Sequence, residues 1–241
     1  SYQHRIMKAF LAAITQRAPD AADLLLGLSS PNGLHDIQLL TIAVDIAGRL
    51  GDWLAVVAIE DRMRSLDVIS VDAFSWRFDA LLGLERYQAA EKLLTDALKI
   101  FPESHQITVK WARLATIQRN YSVAALRWAE VLAWHPNIQE AYLTGALSCR
   151  QAEDLPAALS LLRDGMTALP GSVDIWLRYL DYTLGADALD AARACWDECR
   201  VAFEGNDKVL LTGARMEILA GNFNTAKTLI DERDALSGGR R

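Results

Sequence analysis

The stretch Arg86-Tyr87-Gln88-Ala89-Ala90, running on through Leu93-Leu94 to Phe101-Pro102, decides the reading of this chain. A large residue, a small one three places later and a closing proline bracket one amphipathic helix. A step of 34 residues forward from Tyr87 reaches Tyr121, then Leu155, Leu189 and Phe223, and one step back reaches Trp53. Three residues further on, the same ladder reads Val56, Ala90, Ala124, Ala158, Ala192 and Ala226. One residue before the large position stand Asp52, Arg86, Asn120, Asp154, Ala188 and Asn222. Asp and Asn there suit a helix N-cap, whose side-chain oxygen accepts from an orphan N–H. Pro102, Pro136 and Pro170 close the helix, because proline lacks an N–H and clashes with the preceding turn. Gly51 and Gly221, just before two of the caps, suit the left-handed residue that ends a preceding helix.

The physical unit is therefore two helices joined at the cap. The recurring Ala marks a close helix crossing, and the large residue fills the space beside it. Apolar residues at three- and four-residue spacing, as in Ala157-Ala-Leu-Ser-Leu-Leu162, support helices throughout. Asp67-Val-Ile-Ser-Val71 is the one short strand-like run, and it falls at a repeat junction.

Composition agrees. The chain has 241 residues, 51% hydrophobic and 23% charged, a globular balance too apolar for a disordered chain. Twenty-five Lys+Arg against 31 Asp+Glu leave a net charge of −6, which disfavours a general nucleic-acid binder. Three Cys cannot complete a disulfide framework. The longest apolar runs are far shorter than the roughly 18 residues that span a bilayer.

This pattern resembles the tetratricopeptide repeat family, with its period of 34 and its small–large–small–Pro signature. The resemblance runs from about Leu34 to Leu236 and implies an all-α, right-handed solenoid of antiparallel helix pairs. It implies about six repeats over 34–236, an atypical capping pair over 1–33 (helices His4–Gln16 and Asp20–Leu28, turn Pro31–Gly33) and a tail or linker at 237–241. The family's second small position reads Met63, Ala97, Val131, Gly165, Cys199 and Arg233. Its first-helix small position reads Val44, Phe78, Ala112, Ala146, Leu180 and Ala214, so the repeats are divergent. One unit, Trp176-Leu-Arg-Tyr179 with Ala192-Arg193 and Trp196-Asp-Glu198, is similar to a half-a-TPR repeat, a family of RNA-processing assemblies.

No catalytic constellation emerges. The four His lie outside helical metal-pair spacing, and His105 and His135 fall at junctions where loops are solvated. Cys195 and Cys199, with no second pair at zinc spacing, read as buried packing thiols. No phosphate loop, nucleophile elbow or zincin motif is present. No enzyme, metal or cofactor is expected. Trp53, Trp128, Trp176 and Trp196 occupy repeat packing positions, Trp111 and Trp134 read as filler between repeats, and Trp76 has no place in the frame.

The resemblance implies that first helices line an inner groove. The positions carried over are Asp45, Arg49 and Asp79 in the first two units and Arg113 in the third. Leu143, Arg150, Leu177, Asp181, Lys208 and Arg215 follow in the last three. Such a mixed surface suits a protein or peptide segment held by apolar anchors and charged pairs. It lacks the Lys/Arg wall that takes a phosphate backbone. The expected function is a protein-interaction scaffold, with self-association compatible and a cytoplasmic location favoured over a periplasmic one. A second reading makes the chain the repeat region of a larger bacterial glycosyltransferase or envelope-polysaccharide export protein, since it lacks an initial Met and ends Ser237-Gly-Gly-Arg-Arg241. A third is the RNA-processing scaffold.

Overall fold

A computed structural model describes residues 33–65, 67, 69–186 and 188–238. The expected capping pair within 1–32 and the end of the tail lie outside the described residues. Twelve helices are present among those described, with no strand. They are α1 (Gly33–Leu50), α2 (Trp53–Arg64), α3 (Val71–Gly83), α4 (Tyr87–Ile100), α5 (His105–Ile117) and α6 (Tyr121–Trp134). Then come α7 (Gln139–Gln151), α8 (Leu155–Ala168), α9 (Val173–Leu184), α10 (Leu189–Ala202), α11 (Asp207–Leu219) and α12 (Phe223–Gly238). Odd-numbered helices are the first members of hairpins and even-numbered ones the second. Every ladder residue from Trp53 to Phe223 is the first residue of a second helix. The strand-like run around Ile69 instead leads into α3, with Ser70 Oγ accepting from the Ala73 N–H.

Five of the six hairpin turns are built alike among the described residues. At Gly51, Glu85, Arg119, Glu153 and Gly221 the backbone is left-handed, with φ of 72°, 56°, 57°, 65° and 78°. In each case the next residue's N–H returns to the carbonyl five residues back. Asp52 reaches Ala47, Arg86 reaches Leu81, Asn120 reaches Ala115, Asp154 reaches Cys149 and Asn222 reaches Glu217, at 2.8–3.0 Å. This six-residue closure satisfies carbonyls the first helix would otherwise leave orphaned. Only two of the expected side-chain caps form among the second helices whose caps are described. Asp52 accepts from Ala55 N and Asp154 from Ala157 N, whereas Asn120 makes no cap bond and Asn222 donates to Glu217 instead.

The described residues divide into two compact units, one up to Leu114 and one from Ala115 onward. In the first, Val44, Ala47, Val56, Ile59, Met63 and Ala80 form one core, and Phe78, Ala90, Leu94, Ala97, Ile107 and Leu114 another. In the second, a continuous core runs from Tyr142 through Leu162, Leu180 and Trp196 to Leu229. The recurring small position is buried in all six hairpins, from Val56 to Ala226. Within each unit neighbouring first helices touch, α1 with α3, α7 with α9 and α9 with α11.

Packing between hairpins follows a size rule. A second-helix residue faces the first-helix residue seventeen places later. Close approach is seen for Glu60 with Arg77, Trp128 with Gly145 and Trp196 with Gly213, and the same register holds Leu94 and Trp111 in one core and Leu162 and Tyr179 in another. A Cβ on Gly213 would lie 2.3 Å from the Trp196 ring, and one on Gly145 3.2 Å from Trp128. A large ring on one helix thus requires a small or medium residue on the other. In the first hairpin a buried Glu60–Arg77 ion pair, joined by Arg64, replaces the apolar contact.

Candidate functional site

The first hairpins place three of the expected groove residues around one cleft. Asp45 and Arg49 come from α1 and Asp79 from α3, and they surround a hollow of about 320 Å³ lined also by Val44, Gly48, Trp53, Val56 and Trp76. The helical period puts Val44, Asp45, Gly48 and Arg49 on one side of α1. Gly48 leaves the hollow open, since a Cβ there meets no atom within 4 Å. Trp53, the first residue of α2, lies across Gly83 of α3 and forms a wall. Trp76, which fits no packing role in the repeat frame, lines the opening.

The rim charges neutralise one another. Arg49 Nε is 3.0 Å from Asp45 Oδ2, and Lys110 Nζ is 2.6 Å from Asp79 Oδ1. The Lys110 ammonium also sits 5.0 Å from the centroid of the Phe78 ring, an arrangement that favours the cation. A cleft with apolar walls and a self-paired rim suits an uncharged side chain better than an ion.

The second unit arranges the other residues differently. Leu143 and Leu177 are half-buried against its core, while Leu211, one step further, is exposed. Two charged pairs link positions 34 residues apart, Lys208 with Asp174 at 3.2 Å and Arg215 with Asp181 at 3.0 Å. Four of these charges therefore staple α9 to α11 at the surface, where such pairs contribute about 0–1 kcal/mol and exchange readily with a partner's charges. Arg150 is exposed and stacks 4.5 Å from the centroid of Tyr182. Arg178 lies 5.9 Å from the same ring. Arg113 is half-buried and already engaged within the chain.

Other residues singled out from sequence fall as follows. Burial pushes the Cys195 thiol up to about 12 and the Cys199 thiol up to about 11, so both are protonated packing groups near neutral pH. His105 is exposed and His135 half-buried with a partner inside the chain. Trp134 is not filler between repeats. It is 64% exposed as the last residue of α6, while Val131 in the same turn is buried. Gly48 and Lys110 were not legible as site residues, although Trp76 signalled them by standing outside the repeat frame. No described helix is long and apolar enough to cross a membrane.

No protein-family model matches the sequence, and no curated protein does. Solved structures do resemble it. A tetratricopeptide repeat protein from Parabacteroides merdae superposes with a TM-score of 0.58 at 14% identity, over 98% of this chain and 93% of that one. PilF of Pseudomonas aeruginosa gives 0.56 at 15% identity, over 83% and 99%. YrrB, described as a TPR protein with an unusual peptide-binding site, gives 0.52 at 10% identity, over 75% and 92%. At these identities the likeness speaks for the fold alone, and with the twelve helices it establishes that this chain folds as tetratricopeptide-type helical hairpins of the all-α solenoid class.

Proposed function

We propose that this protein is a non-catalytic scaffold that holds a segment of a partner protein on its first helices, with the α1–α2–α3 cleft as the anchor. The observation that carries this reading is the hollow held open by Gly48 between Trp53 and Trp76, with Asp45, Arg49 and Asp79 on its rim. An apolar side chain of the segment enters the cleft. The exposed Asp45–Arg49 pair on its rim exchanges partners with charges of the same segment. YrrB supports this by analogy, because its fold is alike and its description names a peptide-binding site.

Gly48→Leu tests it. A Cβ at this position meets no heavy atom within 4 Å, so the added side chain enters the hollow's side of α1 with room at its base. It also removes a helix-interior glycine, which stabilises by roughly 0.5–1 kcal/mol. Peptides selected by display on the wild-type chain should lose binding to the variant while its melting temperature holds or rises. Selected peptides that bind both proteins equally would place the site elsewhere.

A further inference from the structure

The two helices that supply the tryptophan walls of the cleft are also joined by a charged network. Trp53 and Val56 line the cleft from α2, and Glu60 follows Val56 one turn later on the same side. Trp76 lines it from α3, and Arg77 is the next residue. Glu60 is 3% exposed, and both of its oxygens are held. Arg64 donates to Oε1 at 3.0 Å, and Arg77 donates to Oε2. Arg77 also donates to Asp61 Oδ1, so one guanidinium spans two adjacent carboxylates of α2.

The apolar packing around this network is divided. Trp76 and Ala80 of α3 pack into the core of α1 and α2, whereas Phe74, Phe78 and Leu81 of the same helix pack into the core shared with α4 and α5. In the second unit, by contrast, one core runs through successive hairpins. The first hairpin therefore meets the second across a narrow apolar contact and a charged seam. Apolar attraction is non-directional and survives a small slide of one helix on another. The ion network does not, because a slide of α2 along α3 strands a buried carboxylate without its cation. We infer that Glu60 and Arg77 are positioning residues for the cleft, whose pairing fixes the register of α2 on α3 and with it the gap between Trp53 and Trp76. The functional weight of that gap rests on the binding role proposed for the cleft.

Glu60→Leu combined with Arg77→Met tests it. Exchange of a buried ion pair for apolar groups of similar volume is often neutral or stabilising, so the melting temperature should hold or rise. Asp61 and Arg64 are more than half exposed and return to water. Fluorine NMR of the full chain labelled with 5-fluorotryptophan reads the walls, with resonances assigned by Trp53→Phe and Trp76→Phe. In the double variant the Trp53 and Trp76 resonances should split or broaden, while those of Trp128 and Trp196 in the second unit stay as they were. Arg77→Lys keeps the charge but loses the fork, and it should disturb the same two resonances to a lesser degree. Unmoved Trp53 and Trp76 resonances in a folded double variant overturn the proposal. Where the double variant no longer melts cooperatively, Arg77→Lys decides by the same criterion. Peptides selected by display on the wild-type chain and lost on Gly48→Leu are the second probe. Their affinity for the double variant should fall about tenfold, as it does when only about a tenth of the molecules hold the competent gap. Undiminished affinity overturns the proposal. A selection that yields no Gly48-sensitive peptide counts against the binding role of the cleft, and the fluorine spectra then decide the positioning role by themselves.

Discussion

At the residue scale, the left-handed turn residues carry a measurable cost. Glu85, Arg119 and Glu153 hold positive φ where Gly51 and Gly221 do so without a Cβ penalty. A non-glycine residue in this region costs roughly 1–2 kcal/mol, while glycine loses about 0.5–1 kcal/mol more conformational freedom on folding. Each of Glu85→Gly, Arg119→Gly and Glu153→Gly should therefore stabilise the chain by about 0.5–1 kcal/mol in chemical denaturation. A second residue-scale prediction concerns Glu217, a buried carboxylate of α11. Hydrogen bonds from Arg193 (3.0 Å) and Asn222 (2.7 Å) hold its pKa below the usual carboxylate range. A lowered native pKa means the carboxylate stabilises the fold fully above its unfolded value of about 4.3, and loses that contribution as pH falls through the native one. Wild type should thus exceed Glu217→Gln in stability at neutral pH, and the gap should close on acidification, as read from denaturation midpoints across a pH series.

At the scale of the element, the hairpins depend on matched volumes. Gly213→Ala puts a Cβ into the Trp196 ring and should cost about 1–3 kcal/mol by overpacking. Trp196→Leu in the same chain should recover part of that loss, giving a coupling of roughly 0.5–3 kcal/mol in a double-mutant cycle. Additive effects would mean that the two residues do not share the contact. The helices themselves were legible because local signals agreed with one another. The step from Trp53 to Phe223 named the first residue of every second helix, and Gly51 and Gly221 named two turns. The other turns stayed hidden because Glu85, Arg119 and Glu153 adopt a glycine-like conformation that their side chains do not advertise. The caps were over-read for a related reason. The six-residue backbone closure forms with a bonding cap side chain, as at Asp52 and Asp154, and without one, as at Asn120, so a residue suited to the cap does not by itself show that the cap bond forms.

At the scale of the whole molecule, the fold class was readable and the site only partly so. Repetition at fixed spacing is a property of sequence, whereas the cleft depends on what is absent, the side chain at Gly48. Asp45, Arg49 and Asp79 were placed by register alone, but that Asp181 pairs with Arg215 and Asp174 with Lys208 needs the actual distance between α9 and α11. The same register carries a last consequence. By register the slots alternate, with Leu162 and Tyr179 standing between two copies of Trp over Gly. Excision of residues 129–162 would bring Trp128 opposite Tyr179, two bulky rings in one slot, and the shortened chain should fail to melt cooperatively. Excision of 129–196 would bring Trp128 opposite Gly213, a fit the protein already uses, and that smaller chain should fold. The array has a parity: it can shed hairpins in twos but not singly.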